Sequence, residues 1–235
     1  ICSGLVGSEM CIRDRAADVV AAVDAAVDFS AYDTVILVHA GAGQETDILG
    51  NSPEQIYSSY LSPEDFADAV EEELIAEPWL ATDDLDAFGE PVRLDQILIL
   101  PETERQDAEA GAGTFGTLGV YCFEVGLRLG MLSLSDFTPA GNPDSQGIGE
   151  FGLMGYGLFV AGGLIPDHPC AFNRLLMGWV DPYTVSPDAG GTFTLRPAES
   201  ADPDSTVARV EISPSEYWLL EYRLQDPDGN SRFSF

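Results

Sequence analysis

GTFGTLGVYCFEVGLRLGMLSLSDF, residues 113–137, is the stretch on which the fold turns. It predicts a helix from about Thr117 to Gly130, approached through the flexible residues 111–116. Gly119, Gly126 and Gly130 are costly inside a helix and imply that another backbone packs close against it. Upstream, Gln96 to Leu100 (QILIL) is a short apolar run that predicts a buried strand closed by Pro101. Before it, Pro63-Glu64-Asp65 sets acidic side chains at the positive end of a helix reaching about Ile75. Thr34 to His39 (TVILVH) predicts a buried strand running into the Gly41–Gly43 loop, and Ala16 to Asp28 has apolar residues at helical spacing. Downstream come a turn-rich loop over 137–150 and a short helix over Ala171–Trp179. Antiparallel strands are predicted at Thr192–Leu195, Val207–Ile212 and Tyr217–Tyr222. Helix and strand first, then a central helix and a β-rich end, indicate an α+β domain.

The chain carries 40 Asp plus Glu against 10 basic residues, every one of them Arg, for a net charge of −30. Such a surface repels nucleic acid and anionic membranes. A salt-rich habitat and secretion as an acidic, cation-binding protein both explain it. No run of about 18 apolar residues exists, so no membrane-spanning segment is expected. Leu5 to Asp14 reads LVGSEMCIRD, which resembles a sequencing-library adapter translated in frame. Residues 1–15 are therefore read as a scar making little contact with the core, and the natural N-terminus as lying outside the chain. The native part then divides into a domain over 16–190 and a β-rich extension of it over 191–235, itself truncated. Setting Cys2 and Cys11 aside leaves Cys122 and Cys170, which either pair or stay as buried thiols.

Four stretches, in order, resemble secreted metallopeptidases of the immune-inhibitor-A type. VDFSAYDTVILVHAGAGQE (Val27–Glu45) is similar to the strand and loop preceding their active site, and residues 113–137 to their catalytic segment. DSQGIGEFGLMGYG (Asp144–Gly157) is similar to the stretch carrying their Met-turn. CAFNRLLMGWVDP, followed by VEISPSEYWLLEYRLQDP, is similar to the post-catalytic helix and the EYR strand. Together they span about residues 27–225. The resemblance implies a zincin/metzincin-like domain built around an active-site helix bearing H-E-x-x-H-x-x-G-x-x-D, whose i, i+4 imidazoles share one face and hold zinc. Here the ligand positions read Phe123, Leu127 and Ser133. Glu124 stands at the general-base position, Gly130 at the turn and Met154 at the Met-turn; Asp136 matches the end of the segment.

Phe and Leu offer no lone pair and Ser is a poor zinc ligand, so no zinc or other cofactor is expected and Glu124 has no metal-bound water to activate. Apolar residues at both helical positions suggest a vacated site filled as core, with Phe123 and Leu127 largely buried. Glu124 then reads as a relic base or as a buried carboxyl held by neighbouring backbone or Arg128. Glu124, Asp136 and Glu150 offer oxygens that suit calcium more than zinc. The acidic turns Asp202-Pro203-Asp204 and Asp83-Asp84, and Asp226, Asp228 and Asn230 beside Gly229, are further calcium candidates, each also readable as a solvated turn. His39 reads as capping the Gly41–Gly43 loop and His168 as part of a turn, and Cys122 has no partner to make it a nucleophile.

The expected function is that of a non-catalytic metallopeptidase homologue. It would serve as a peptide- or protein-binding or structural module beside neighbouring domains of a larger extracellular or cell-surface protein. The alternative is an active zinc metalloendopeptidase with an altered metal site.

Overall fold

The computed structural model describes residues 5–52, 54–105, 115–136, 146–186, 188, 192–200, 205–213 and 215–224, with side chains from Ile12 onward. It is mixed α+β with small sheets, and it divides into two compact units, Ile1–Arg128 and Leu129–Phe235.

The first unit is organised by a strand buried on both faces. β1 (Val35–Ala42), β2 (Ser59–Leu61) and β5 (Ile97–Thr103) form a sheet in the order β1-β5-β2, with β1 parallel and β2 antiparallel to β5. The centre of β5 is continuously apolar because both faces are covered: Ile97, Leu98 and Leu100 are wholly inaccessible. The strand does not stop at Pro101, as its sequence suggested, but continues to Thr103. β2 pairs only with Ile97–Ile99, so among the described residues one side of β5 has no strand beside it beyond Leu100, and a residue without an N–H is tolerated there.

α1 (Leu5–Val23) and α2 (Pro63–Glu71) contribute Ile12, Ala16, Val20 and Phe66 to the same apolar cluster as Ile97 and Ile99. α1 starts well before Ala16, and Ile12 and Arg13 are buried. This corrects the expectation that residues 1–15 make little contact with the core. Alanine-rich residues 16–22 present one apolar stripe, and continuing it N-terminally brings Ile12 into register with Ala16 and Val20. α2 is opened by a reciprocal cap: the Ser62 hydroxyl accepts from the Asp65 N–H at 3.2 Å and the Asp65 carboxylate from the Ser62 N–H at 2.7 Å. It ends at Glu71, short of Ile75. β3 (Leu80–Leu85) and β4 (Pro91–Leu94) make an antiparallel hairpin whose turn is tied by Asp86, which accepts from the Phe88 and Glu90 N–H groups.

α3 (Leu118–Leu129) closes the first unit. Tyr121 donates its hydroxyl proton to the Pro101 carbonyl at 2.9 Å, and Arg128 donates to the Asp33 carbonyl at 2.9 Å. These bonds tie the helix to β5 and to the residues leading into β1. Gly130, at φ +101°, is the left-handed stop just past the helix.

In the second unit α4 (Ala171–Leu176) packs on a sheet of β6 (Tyr183–Val185), β7 (Val207–Ser213) and β8 (Glu216–Glu221), with β6 parallel and β8 antiparallel to β7. Residues 192–195, expected as a strand, pair with nothing regular: the parallel place beside β7 is taken by β6. Buried Arg174 donates to Glu221 at 2.8 Å, and Arg223 bridges Glu221 and Asp167 at 3.0 and 2.6 Å. Buried Asn173 clamps Leu132 by accepting from its N–H and donating to its carbonyl. No helix among the described residues is long and apolar enough to cross a membrane.

Candidate functional site

The inward face of α3 is Gly119, Val120, Glu124 and Gly126, so a carboxyl occupies a place that spacing alone would give to an apolar side chain. Glu124 is only 7% exposed and its Oε2 has no hydrogen-bond partner. Burial, followed by repulsion from Glu45, pushes its pKa up to about 8, against a single favourable hydrogen bond from the Tyr60 backbone. At neutral pH it is therefore mostly the uncharged acid.

Glu45 stands in the short helical turn over Gln44–Thr46 that follows β1. The Ser58 N–H and hydroxyl both donate to its carboxylate. At Gly43 a Cβ would lie 2.5 Å from that carboxylate, so the glycine is what allows it to rest against the chain. Glu104, just past β5 and 1% exposed, accepts from the Thr46 hydroxyl. Desolvation, and then the charge of Glu45, drives its pKa well above the carboxylate range. Burial and the nearby Glu104 also raise the Tyr121 hydroxyl. The parallel pairing of β1 with β5 sets the ends of these strands side by side and so brings Glu45 to Glu104.

Glu124 and Leu127 form part of the lining of a cavity of about 300 Å³. Across from them stand Ser59, Tyr60 and Leu61 of β2, and Asp65, Asp68 and Glu72 on or just past α2. Ile12 and Arg13 of α1 complete it, and Arg13 donates from Nη1 to the Asp65 carbonyl at 3.3 Å.

Phe123 and Leu127 are half-buried, not enclosed. That corrects the expectation of a filled site: the inward face of α3 is given to glycines, Val120 and Glu124, and Leu127 borders open space. Ser133 belongs to the second unit, half-buried with its Oγ unpartnered. Met154, also there and 1% exposed, accepts at its carbonyl from the Leu134 N–H at 2.7 Å. These side chains do not fit zinc, since neither helical position offers a donor atom.

Glu150 and Asp136 lie in the second unit and Glu124 in the first; Glu150 is exposed and Asp136 half-buried. Asp226, Asp228 and Asn230, with Asp202 and Asp204, fall outside the described residues. Asp83 and Asp84 sit in β3, not in a loop, and their oxygens and those of Asp24 lie within 4.8 Å of one another. Within that group Asp24 accepts from the Asp83 N–H, and Asp84 accepts from the Phe29 N–H. His39 lies in β1 with Nδ1 3.1 Å from the Ala40 carbonyl oxygen. Exposed His168, expected in a turn, lies in an irregular stretch where its N–H donates to the Asp167 carboxylate at 2.8 Å. Cys122 and Cys170 are free thiols, and burial pushes Cys122 up, away from a reactive thiolate.

Sequence reasoning singled out Glu124 but missed Glu45 and Glu104. Among so many acidic residues, no local pattern marked either of them as different. Compared with known proteins, the chain matches no family model, no curated protein and no solved structure.

Proposed function

We propose that this chain is a non-catalytic relative of the immune-inhibitor-A-type metallopeptidases, with a zincin-like ancestry. It would act as a peptide- or protein-binding module of a larger secreted or surface protein. The observation that carries the reading is the state of Glu124. At the position the resemblance assigns to the general base, it is a buried, largely uncharged acid beside a cavity, flanked by Phe123 and Leu127 where the motif has histidines. A base acts on a water that a metal has acidified, and these positions supply no ligand for that metal. What remains is a recess with one buried carboxyl, apolar wall from Leu61, Ala69 and Leu127, and further carboxyls from Asp65, Asp68 and Glu72, which suits binding.

Zinc analysis and a casein assay on the purified chain test this. The expected result is less than about 0.1 zinc per chain and no cleavage above background. One tightly held zinc, with cleavage abolished by a chelator, would overturn the reading. The second reading, a working hydrolase with an altered site, is favoured by one observation: a pKa of about 8 lies in the range useful for proton transfer near neutrality.

A further inference from the structure

We infer that the cavity beside Glu124 is a binding site for the side chain of an arginine presented by a peptide. The inference deepens the binding-module reading and rests on it, since it treats Glu124 as a ligand-holding group.

An arginine side chain has an apolar stem and a planar head with five donors and no acceptor. The cavity matches both halves. Leu61, Ala69 and Leu127 offer apolar wall for the stem. Asp65, Asp68, Glu72 and Glu124 supply carboxyls for the head. Acidic side chains alone would be a solvated surface, but Glu124 is different. It is 7% exposed, it faces the cavity, and its Oε2 receives no hydrogen bond. A buried carboxyl with an unpartnered oxygen beside a cavity becomes, once its proton has left, a place where a donor is wanted.

One guanidinium already stands on the cavity wall. Arg13 reaches it from α1 and bonds the Asp65 carbonyl, and it lies within the adapter-like stretch Leu5–Asp14. Its guanidinium thus stands on the cavity wall, where the head group of the ligand would compete with it.

Occupancy should depend on pH through Glu124. The groups around it are Glu45, with Glu104 behind it, Tyr60 on β2, Arg13 on α1, Asp65, Asp68 and Glu72 at α2, and Arg128 one turn along its own helix. Arginine keeps its charge throughout, so the pH change acts on the site and not on the ligand. A cation favours the ionised carboxyl, and binding expels the Glu124 proton.

The probes are acetyl-Gly-Arg-Gly-amide, the same peptide with citrulline for arginine, and agmatine, titrated calorimetrically into the full chain at pH 6.5 and 9.0. With the Glu124 pKa at about 8, the ionised fraction rises about thirtyfold across that range, and the arginine peptide should tighten by a comparable factor. About one proton should be released per peptide at pH 7. Citrulline should abolish binding. Glu124→Gln should erase the pH dependence and weaken binding at least about tenfold at pH 9. Arg13→Gln, which removes the competing cation from the cavity wall, should strengthen it.

Equal binding of the citrulline peptide, or no loss in Glu124→Gln, overturns the assignment. Agmatine binding as well as the peptide overturns the peptide part, because the cation alone would then be the ligand. Zinc is measured on the same samples. A zinc-free, inactive chain that ignores the arginine peptide sinks this inference alone, whereas bound zinc with chelator-sensitive cleavage sinks the reading beneath it.

Discussion

Glu124 and Glu104 keep protons in the folded chain that the unfolded chain gives up in the ordinary carboxylate range. For an acid raised by folding, the stability this gives is fully present below the unfolded pKa and is lost as pH climbs through the folded value. Glu124 thus removes up to about 1.4 kcal/mol per pH unit between about pH 4.5 and 8, and Glu104 acts in the same direction. Urea melts should show stability falling across that interval, and Glu124→Gln should flatten the fall, stabilising at pH 8 while changing little at pH 5. A variant no more stable than the parent at pH 8 would mean that Glu124 is not held neutral by burial. In the second unit the charges are paired instead. Removing the Glu221 charge as Glu221→Gln leaves Arg174 buried beside a neutral group and should cost about 3 kcal/mol in the same assay. Replacing both as Arg174→Met with Glu221→Leu should cost less than the single change.

At the level of elements, α1 gives the sharpest test. Ile12 packs with Phe66 and Ile97, so Ile12→Ala should cost about 2–5 kcal/mol by denaturant melt. A cost under about 0.5 kcal/mol would return residues 5–15 to the status of a loose appendage. Burial states what the segment touches and leaves its resemblance to an adapter untouched. β1, β5, α3, β7 and β8 were legible because each is a strongly apolar or amphipathic run with clear punctuation. β1, expected to be buried, nevertheless has one face exposed because it lies at the edge of its sheet among the described residues. β3 and β4 were not. The Thr82-Asp83-Asp84 run reads as polar turn, and only pairing with β4, aided by Arg93 lying 4.4 Å over the Trp79 ring, makes it a strand. β2 spans Ser59–Leu61, too few residues to show a period. The site was half-legible for the same reason. Glu124 stood out by its place in a helix, whereas Glu45 and Glu104 meet through a pairing between strands some sixty residues apart, which no local pattern encodes.

For the whole molecule, the decisive quantities are the charge and the way the first sheet ends. With order β1-β5-β2, β1 is an edge strand among the described residues, and Ile36 and Val38 on it are 44% and 57% exposed. A bare apolar edge of this kind is a template on which another copy can add a strand. Natural sheets commonly guard such an edge with lysine, and this chain has none. The net charge of −30 does the guarding from a distance, through repulsion between whole molecules. Such protection is only as strong as the solution lets it be, because the screening length shrinks from about 30 Å at 0.01 M salt to about 3 Å at 1 M. Light scattering should therefore report monomers in dilute buffer and growing assemblies as salt is added, and Ile36→Lys should suppress them. The chain would thus behave as a colloid, kept dispersed by its ionic atmosphere and made adhesive by anything that collapses it.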